Sequence, residues 1–152
     1  MVKEGIRAPL FEVVSDKGET VRLADFLGRK VLLYFYPKDN TPGCSLEAKN
    51  FNDNVNKLLS KGIAVLGVSK DSVKSHCSFR DKYSLKFDLL ADTSGDLVQK
   101  YGVWKKKKNY GKEYTGIERS TFAIDEQGII EKVWRNVKAG THIKEVLEFY
   151  GI

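Results

Sequence analysis

The sequence predicts an α/β protein in which helices flank a mixed sheet. Two apolar runs, VLLYFY at 31–36 and IAVLGVS at 63–69, show the continuous hydrophobicity of strands that are buried on both faces. Between them, apolar residues recur from Cys44 to Leu59 at the spacing of one helix face. Residues 31–69 therefore indicate a β-α-β unit with parallel strands and a right-handed crossover.

Length and composition are those of one ordinary globular domain, which we expect to span residues 1–152. Hydrophobic residues make up 41% and charged residues 30% of the 152, and no segment approaches the ~18 apolar residues of a membrane span. The amino terminus lacks the apolar core and cleavage site of a secretory signal. We therefore expect a cytoplasmic protein, in which two cysteines are either inert or catalytic.

Elements on either side of the β-α-β unit follow from local patterns. The segment LFEVVSDKGETVRL at 10–23 contains two short strand-like runs around a turn, which predicts an N-terminal hairpin. A second helix is predicted over 71–83, with Asp71 or Ser72 as its cap. The run FDLLAD at 87–92 predicts the next strand.

The last third of the chain completes the predicted sheet. A short helix is expected around 95–101, and a loop or irregular extension over 105–118. STFAID at 120–125 and IIEKVW at 129–134 flank a turn and predict a hairpin. THIKEVLEFY predicts a final helix capped by Thr141. This element order is that of a thioredoxin-like fold with a central five-stranded sheet.

The positive net charge gives little support to nucleic-acid binding. The chain has 26 Lys and Arg against 20 Asp and Glu, a net charge of +6, but acidic residues are interspersed nearly throughout. The only basic run is KKKK at 105–108, for which a solvated loop is expected. An interaction or nucleic-acid-binding module stays open as the alternative from another class, and salt-dependent binding would reveal it.

Cys44 is the candidate nucleophile because it lies between a predicted strand and the start of a predicted helix. It follows the first apolar strand in YPKDNTPGCSLEA, residues 36–48, at the start of a helix. Reactive groups in open α/β sheets collect beyond the carboxyl ends of the strands, and the first helical turn favours an anion such as a thiolate. A helix terminus supplies at most ~2 kcal/mol, whereas ionising most of a free cysteine near pH 7 needs about 3.4 kcal/mol. A cation or further hydrogen-bond donors are therefore expected nearby.

Three residues are candidates to complete the site. Thr41 could place its hydroxyl beside the sulfur, or could only cap the turn. Arg119 precedes STFAID, and a strand antiparallel to the central ones begins at the edge where they end, although an arginine there could also be an ordinary surface residue. Glu47 could be a helix-dipole partner or an anchor for that arginine.

The segment YFYPKDNTPGCSLEAKNF resembles the active-site signature of peroxiredoxins, specifically the PrxQ or bacterioferritin comigratory protein group. Pro37, Thr41 and Cys44 fit the group's Pro-x-x-x-Thr-x-x-Cys motif. The resemblance extends over nearly the whole chain and is least typical at 105–118. It implies a peroxidase without cofactor or metal, in which Cys44 attacks hydrogen peroxide or an organic hydroperoxide and becomes a sulfenic acid.

The resemblance also implies roles for the residues around the cysteine. Arg119 and Thr41, with the amides at the helix start, would polarise the peroxide and stabilise charge on the leaving oxygen. Glu47 would orient Arg119. Pro37 and Pro42 would shape the pocket and limit the entry of water.

Resolution of the sulfenic acid is where the chain departs from the commonest pattern of the group, since Lys49 stands where a second cysteine is usual. Some members place the resolving cysteine on the helix that here contains Cys77. The resemblance thus implies a Cys44–Cys77 disulfide in a monomer, reduced by thioredoxin or a similar dithiol. Bridged cysteines need Cα atoms roughly 4.4–6.8 Å apart, so both helices would have to loosen. The alternative is a buried, inert Cys77 and an external thiol.

Other cysteine chemistries fit less well. A thioredoxin-type disulfide exchanger needs Cys-x-x-Cys, and position 47 is Glu. A cysteine hydrolase needs a histidine base, but His76 and His142 are both expected to be surface residues. His76 and Cys77 are adjacent on a helix and diverge by ~100°, so they do not form a metal pair.

Overall fold

A five-stranded mixed sheet forms the centre of the molecule. In the computed structural model, which describes residues 2–152, the strands are β3 (Lys30–Phe35), β4 (Ile63–Ser69), β5 (Asp88–Ala91), β8 (Ser120–Ile124) and β9 (Ile130–Trp134). They lie in the order β5-β4-β3-β8-β9. The first three are parallel, whereas β8 runs antiparallel to β3 and pairs with β9 at the edge. The predicted architecture is confirmed.

Helices and two small hairpins surround this sheet. The N-terminal hairpin has strands β1 (Glu12–Val14) and β2 (Thr20–Arg22), which are followed by the 3-10 turn Leu23–Phe26. The helices are α1 (Pro42–Ser60), α2 (Val73–Tyr83), α3 (Asp96–Lys100) and α4 (His142–Tyr150).

The N-caps of α2 and α4 lie among the predicted residues. Ser72, and not Asp71, caps α2, since its side chain accepts a hydrogen bond from the amide of Ser75. Thr141 is the N-cap of α4, as predicted, although its side chain makes no capping hydrogen bond. No helix within residues 2–152 combines the length and the apolar character needed to cross a membrane.

The core consists of two apolar layers, one on each face of the sheet. Side chains alternate along β3, so that Val31, Leu33 and Phe35 enter one layer while Leu32 and Tyr34 enter the other. All five are buried, as the continuous apolar run predicts. The second layer includes Cys44, which is thus placed between α1 and the sheet.

The region 105–118 is a β-hairpin, so the prediction of a loop is wrong. Strands β6 (Trp104–Asn109) and β7 (Lys112–Ile117) pair antiparallel outside the central sheet. Tyr110 and Gly111 join them with positive φ angles of 52° and 79°, the geometry of a tight hairpin turn. Trp104 and Ile117 face each other at the base and pack on the core. Lysines lack the apolar alternation by which strands are recognised, which explains the error.

Candidate active site

Cys44 lies in the first turn of α1. Thr41 is the N-cap, Pro42 is the first helical residue, and Cys44 is the third. Amide groups in this turn have no acceptor within the helix and point toward the amino-terminal end, where they favour an anion. The cysteine is 1% exposed. Its sulfur therefore lies in a water-poor site at the carboxyl end of β3.

Arg119 is the cation predicted to lie near the thiol of Cys44. Ser120 pairs with Phe35, so β8 begins beside the residue at which β3 ends. The backbone is fixed there by a 3.0 Å hydrogen bond from the amide of Val137 to the carbonyl of Arg119. The guanidinium Nη2 lies 3.4 Å from Sγ of Cys44 and donates to it. The guanidinium thus places a positive charge directly beside the sulfur.

Glu47 holds the other side of the guanidinium. It lies one turn after Cys44 on α1, and its Oε1 accepts a 2.8 Å hydrogen bond from Nη1 of Arg119. Burial raises the pKa of Glu47 to about 7, because the loss of hydration outweighs the lowering effect of Arg119. Burial lowers the pKa of Arg119, but the charges of Glu47 and Cys44 more than compensate and leave it raised. The guanidinium of Arg119 thus donates hydrogen bonds to both Glu47 and Cys44.

The other residues of the motif surround this centre at the surface. The hydroxyl of Thr41 donates to the carbonyl of Lys38 at 2.9 Å. Within the described residues it makes no hydrogen bond to Cys44, so of the two alternatives the structure shows the bond within the turn. Pro37 lines a groove together with Arg119, and Pro42 is exposed at the helix start. A separate apolar cleft of about 200 Å³ includes Val31 and Ile124 at the opposite end of β3, away from the thiol.

Cys77 lies on the outer face of α2 and is exposed, so the alternative of a buried Cys77 is wrong. Both cysteines are free thiols, and Cys44 is buried. Because one thiol faces the core and the other faces outward, bridging them requires a rearrangement of α1, α2 or both.

The two histidines are buried, and the prediction that they are surface residues is wrong. His76 Nε2 lies 2.9 Å from the carbonyl of Leu90, and its Nδ1 lies 2.7 Å from Oδ2 of Asp39. His142 Nε2 lies 2.8 Å from the hydroxyl of Thr121. Burial lowers the pKa of His142, although the hydrogen bond to Glu145 and its charge oppose this shift. Asp39, Leu90 and Thr121 are distant in sequence from the histidines that they contact, so no local pattern reveals these contacts.

Asp39, Asp71 and His76 are the residues best placed to hold a metal, with ligand atoms within 4.8 Å of one another. Hydrogen bonds already occupy those atoms, since Oδ2 of Asp39 accepts from Ser75 and faces His76. Oδ2 of Asp71 accepts from the amide of Asp39 and from the hydroxyl of Ser69. The cluster therefore links the loop before Cys44 to α2, and we assign it a structural role.

Comparison with known proteins identifies the family. The model of the AhpC/TSA family matches residues 5–133. The chain belongs to this family. The putative peroxiredoxin bcp of Coxiella burnetii is 50% identical over 146 residues, which cover 96% of this chain and 97% of that protein. Peroxiredoxin Bcp of Bacillus subtilis is 47% identical over 147 residues, which cover 97% and 94%. The protein is thus a thiol-dependent peroxidase of the Bcp group of peroxiredoxins.

Solved structures of this group share the fold. A cysteine-to-serine variant of PrxQ from Xylella fastidiosa has a TM-score of 0.94 at 37% identity, covering 99% of this peroxiredoxin and 96% of that chain. The bacterioferritin comigratory protein of Xanthomonas campestris has a TM-score of 0.88 at 38% identity, covering 93% and 90%. Alkyl peroxide reduction activity is described for the Xanthomonas protein. The thioredoxin-like fold expected from the element order is confirmed.

The absence of a side chain at Gly43 allows the guanidinium of Arg119 to approach the first turn of α1 closely. A Cβ atom at Gly43 would lie 3.2 Å from Nη2 of Arg119, so Gly43→Ala is expected to displace the guanidinium by a few tenths of an ångström. If the guanidinium acts on the peroxide, kcat/KM should fall about tenfold, since small misplacements of a catalytic group have effects of this order. Alanine favours a helix by ~1 kcal/mol over glycine. A lower kcat/KM with an equal or higher Tm is expected, whereas unchanged kinetics would contradict the role of this contact.

Glu47 makes the stability of this peroxiredoxin depend on pH. Its pKa is about 7 in the fold and 4.5 as an unperturbed group, so between these values the folded state binds more protons than the unfolded state. Stability must then decrease as pH rises through this window. Relative to Glu47→Gln, the wild type is expected to lose about 2–3 kcal/mol more between pH 5 and pH 8, at ~1.4 kcal/mol per pKa unit. Urea unfolding of both proteins at pH 5 and pH 8 measures these free energies of unfolding. An equal loss of stability in wild type and Glu47→Gln would contradict the raised pKa of Glu47.

Proposed function

We propose that Cys44 is the peroxidatic cysteine and that Arg119 assists it directly. The observation that supports this assignment is the 3.4 Å contact between Nη2 of Arg119 and the buried Sγ at the start of α1. The thiolate attacks the terminal oxygen of a hydroperoxide, so that an S–O bond forms and the O–O bond breaks. The leaving oxygen takes a proton and departs as water or alcohol, and the sulfur, oxidised by two electrons, becomes a sulfenic acid.

The surrounding residues act on the charge that develops in this step. Arg119 and the first amides of α1 lie where negative charge moves from sulfur to the leaving oxygen, and fixed donors of this kind stabilise the transition state. Glu47 fixes the orientation of the guanidinium through its 2.8 Å hydrogen bond. Thr41 would turn its hydroxyl from Lys38 to the peroxide when substrate binds. Pro37 and Pro42 limit the access of water.

We propose further that Cys77 resolves the sulfenic acid as an intramolecular disulfide. Its exposure on α2 and the lack of a cysteine at position 49 support this role. The Cys77 thiolate attacks the sulfenic sulfur, an S–S bond forms, and water leaves. Thioredoxin or a similar cytoplasmic dithiol then reduces the disulfide through a mixed disulfide, and the enzyme acts as a monomer.

Peroxide consumption and peptide mapping test both assignments. Cys44→Ser is expected to abolish turnover. Cys77→Ser is expected to consume one equivalent of peroxide but to lose at least about tenfold in steady-state activity with thioredoxin, because its sulfenic acid lacks an internal partner. After wild type is treated with one equivalent of peroxide, a tryptic map should contain a Cys44–Cys77 linked peptide. Full turnover without that peptide would show that an external thiol resolves Cys44.

A further inference from the structure

The four consecutive lysines of β6 lie beside the active site. Together with Pro37 and Arg119 they line a groove of about 430 Å³. Arg119 therefore belongs both to the groove and to the contact with Cys44. A molecule in this groove would lie next to the group that assists the thiol.

Lys107 is the most firmly placed of these lysines. Side chains alternate along a strand, so that Lys105 and Lys107 share one face of β6. The stem of Lys107 passes over Gly116, where a Cβ atom would lie 3.7 Å from its Cδ. Its ammonium group donates to the carbonyl of Ile117, two residues before Arg119. The side chain is half-buried, and its charge is fixed at the base of the hairpin.

The groove holds more positive than negative charge. Of the residues that line it, Lys105 and Lys107 share one face of β6 and Arg119 adds a third cation, whereas Glu118 contributes the one carboxylate. Within residues 2–152 no carboxylate oxygen forms a salt bridge with Lys107, and the charge of Arg119 is shared between Glu47 and Cys44. Burial and the charge of Arg119 lower the pKa of Lys107, although Glu118 and Cys44 oppose them. A negatively charged group bound here would relieve the repulsion between the cations.

We propose that this groove binds the anionic substituent of an organic hydroperoxide, so that hydroperoxides with a carboxylate are preferred over neutral ones of the same shape. The proposal rests on the function proposed above, in which Cys44 attacks the terminal oxygen. The carboxylate takes no part in the redox step. As before, the S–O bond forms, the O–O bond breaks, and the leaving oxygen takes a proton and departs as the alcohol. Lys105 and Lys107 act by attracting and holding the substrate.

A matched pair of substrates tests the proposal. Cumene hydroperoxide and its para-carboxylate differ by one charge at the ring position opposite the hydroperoxide. At ~10 mM salt, the second-order rate constant for oxidation of Cys44 is expected to be about tenfold larger for the carboxylate, as focused charge raises association rates by 10-fold or more. At ~1 M salt the ratio should approach one, since charges are then screened beyond about 3 Å.

Variants of the hairpin locate the effect. Lys105→Gln combined with Lys107→Gln should reduce the low-salt ratio to within twofold of one, and Lys107→Arg should retain it. Lys112→Gln is the control, since it removes one charge from the same hairpin but does not line the groove. If the double variant does not fold, Lys105→Gln replaces it, since Lys105 is exposed and its substitution should leave the fold intact. This single variant should lower the rate ratio about threefold.

The outcomes separate the proposal from the function on which it rests. If the wild type oxidises at the same rate with the carboxylate as with the neutral hydroperoxide, the groove does not bind the carboxylate. If Lys112→Gln lowers the rate ratio as much as the groove variants do, net charge alone explains the preference. Either result would overturn the proposed groove and leave the peroxidase function intact. If neither hydroperoxide oxidised Cys44 and hydrogen peroxide also failed to do so, the peroxidatic role would fall, and the groove proposal with it.

Discussion

Replacing Arg119 with leucine is expected to lower kcat/KM for hydrogen peroxide by about 10²–10³, the usual effect of removing one transition-state donor. The guanidinium donates to Sγ of Cys44 and to Oε1 of Glu47 at the same time. Its loss removes the positive charge beside the sulfur and leaves the buried carboxyl group of Glu47 without its partner. Arg119→Lys should show a smaller loss of about tenfold, since an ammonium lacks the planar arrangement of donors that contacts both groups. Stopped-flow measurement of Cys44 oxidation gives the rate constants.

The contribution of Glu47 can be separated with a second substitution. In Arg119→Leu combined with Glu47→Gln, no acidic carboxyl group is left without a partner near the thiol, so part of the lost rate should return. A double-mutant cycle measures the coupling between the two residues. A rate constant for Arg119→Leu within twofold of wild type would contradict a direct role of the guanidinium.

Replacing Asp39 with alanine is expected to destabilise the protein by about 3–5 kcal/mol, because the buried His76 ring would lose its partner. Asp39 accepts hydrogen bonds from the hydroxyl of Tyr36 at 2.6 Å and from the hydroxyl of Ser75 at 2.8 Å, and it lies 2.7 Å from Nδ1 of His76. At 2–4 °C per kcal/mol, Tm should fall by roughly 6–20 °C. Thermal unfolding followed by circular dichroism measures the change.

Ser75→Ala is the matched control for this substitution. It removes one of the hydrogen bonds to Asp39 and keeps the pair with His76, so a loss of about 1 kcal/mol is expected. Asp39 joins the loop before Cys44 to α2, and the proposed disulfide requires α1, α2 or both to rearrange. Asp39→Ala should therefore also form the disulfide faster than wild type. Equal stability of the two variants would show that the Asp39–His76 pair contributes little to the fold.

Sequence periodicity was sufficient to predict the central sheet. The strand expected at 63–69 matches β4 residue for residue, because an uninterrupted apolar run can be buried only between two layers. The position of Arg119 was also foreseeable, since an antiparallel strand begins where its parallel neighbours end, and Ser120 pairs with Phe35.

Features that depend on distant partners could not be predicted in the same way. The hairpin β6–β7 is held at its base by Trp104 and Ile117, while its lysines give no apolar period. His76 is buried because Asp39, 37 residues earlier, faces one side of its ring. No local pattern around either residue indicates that contact. Polar networks of this kind follow from the three-dimensional arrangement alone.

The most direct test of the account is the site of the first oxidation. Cys77→Ser should be treated with one equivalent of hydrogen peroxide in the presence of a sulfenic-acid trap and analysed by peptide mass spectrometry. The trapped sulfenic acid is expected on Cys44, at a rate that Arg119→Leu lowers by about 10²-fold or more. A reduced Cys44 after full consumption of the peroxide, or equal trapping rates with and without the guanidinium, would contradict the account.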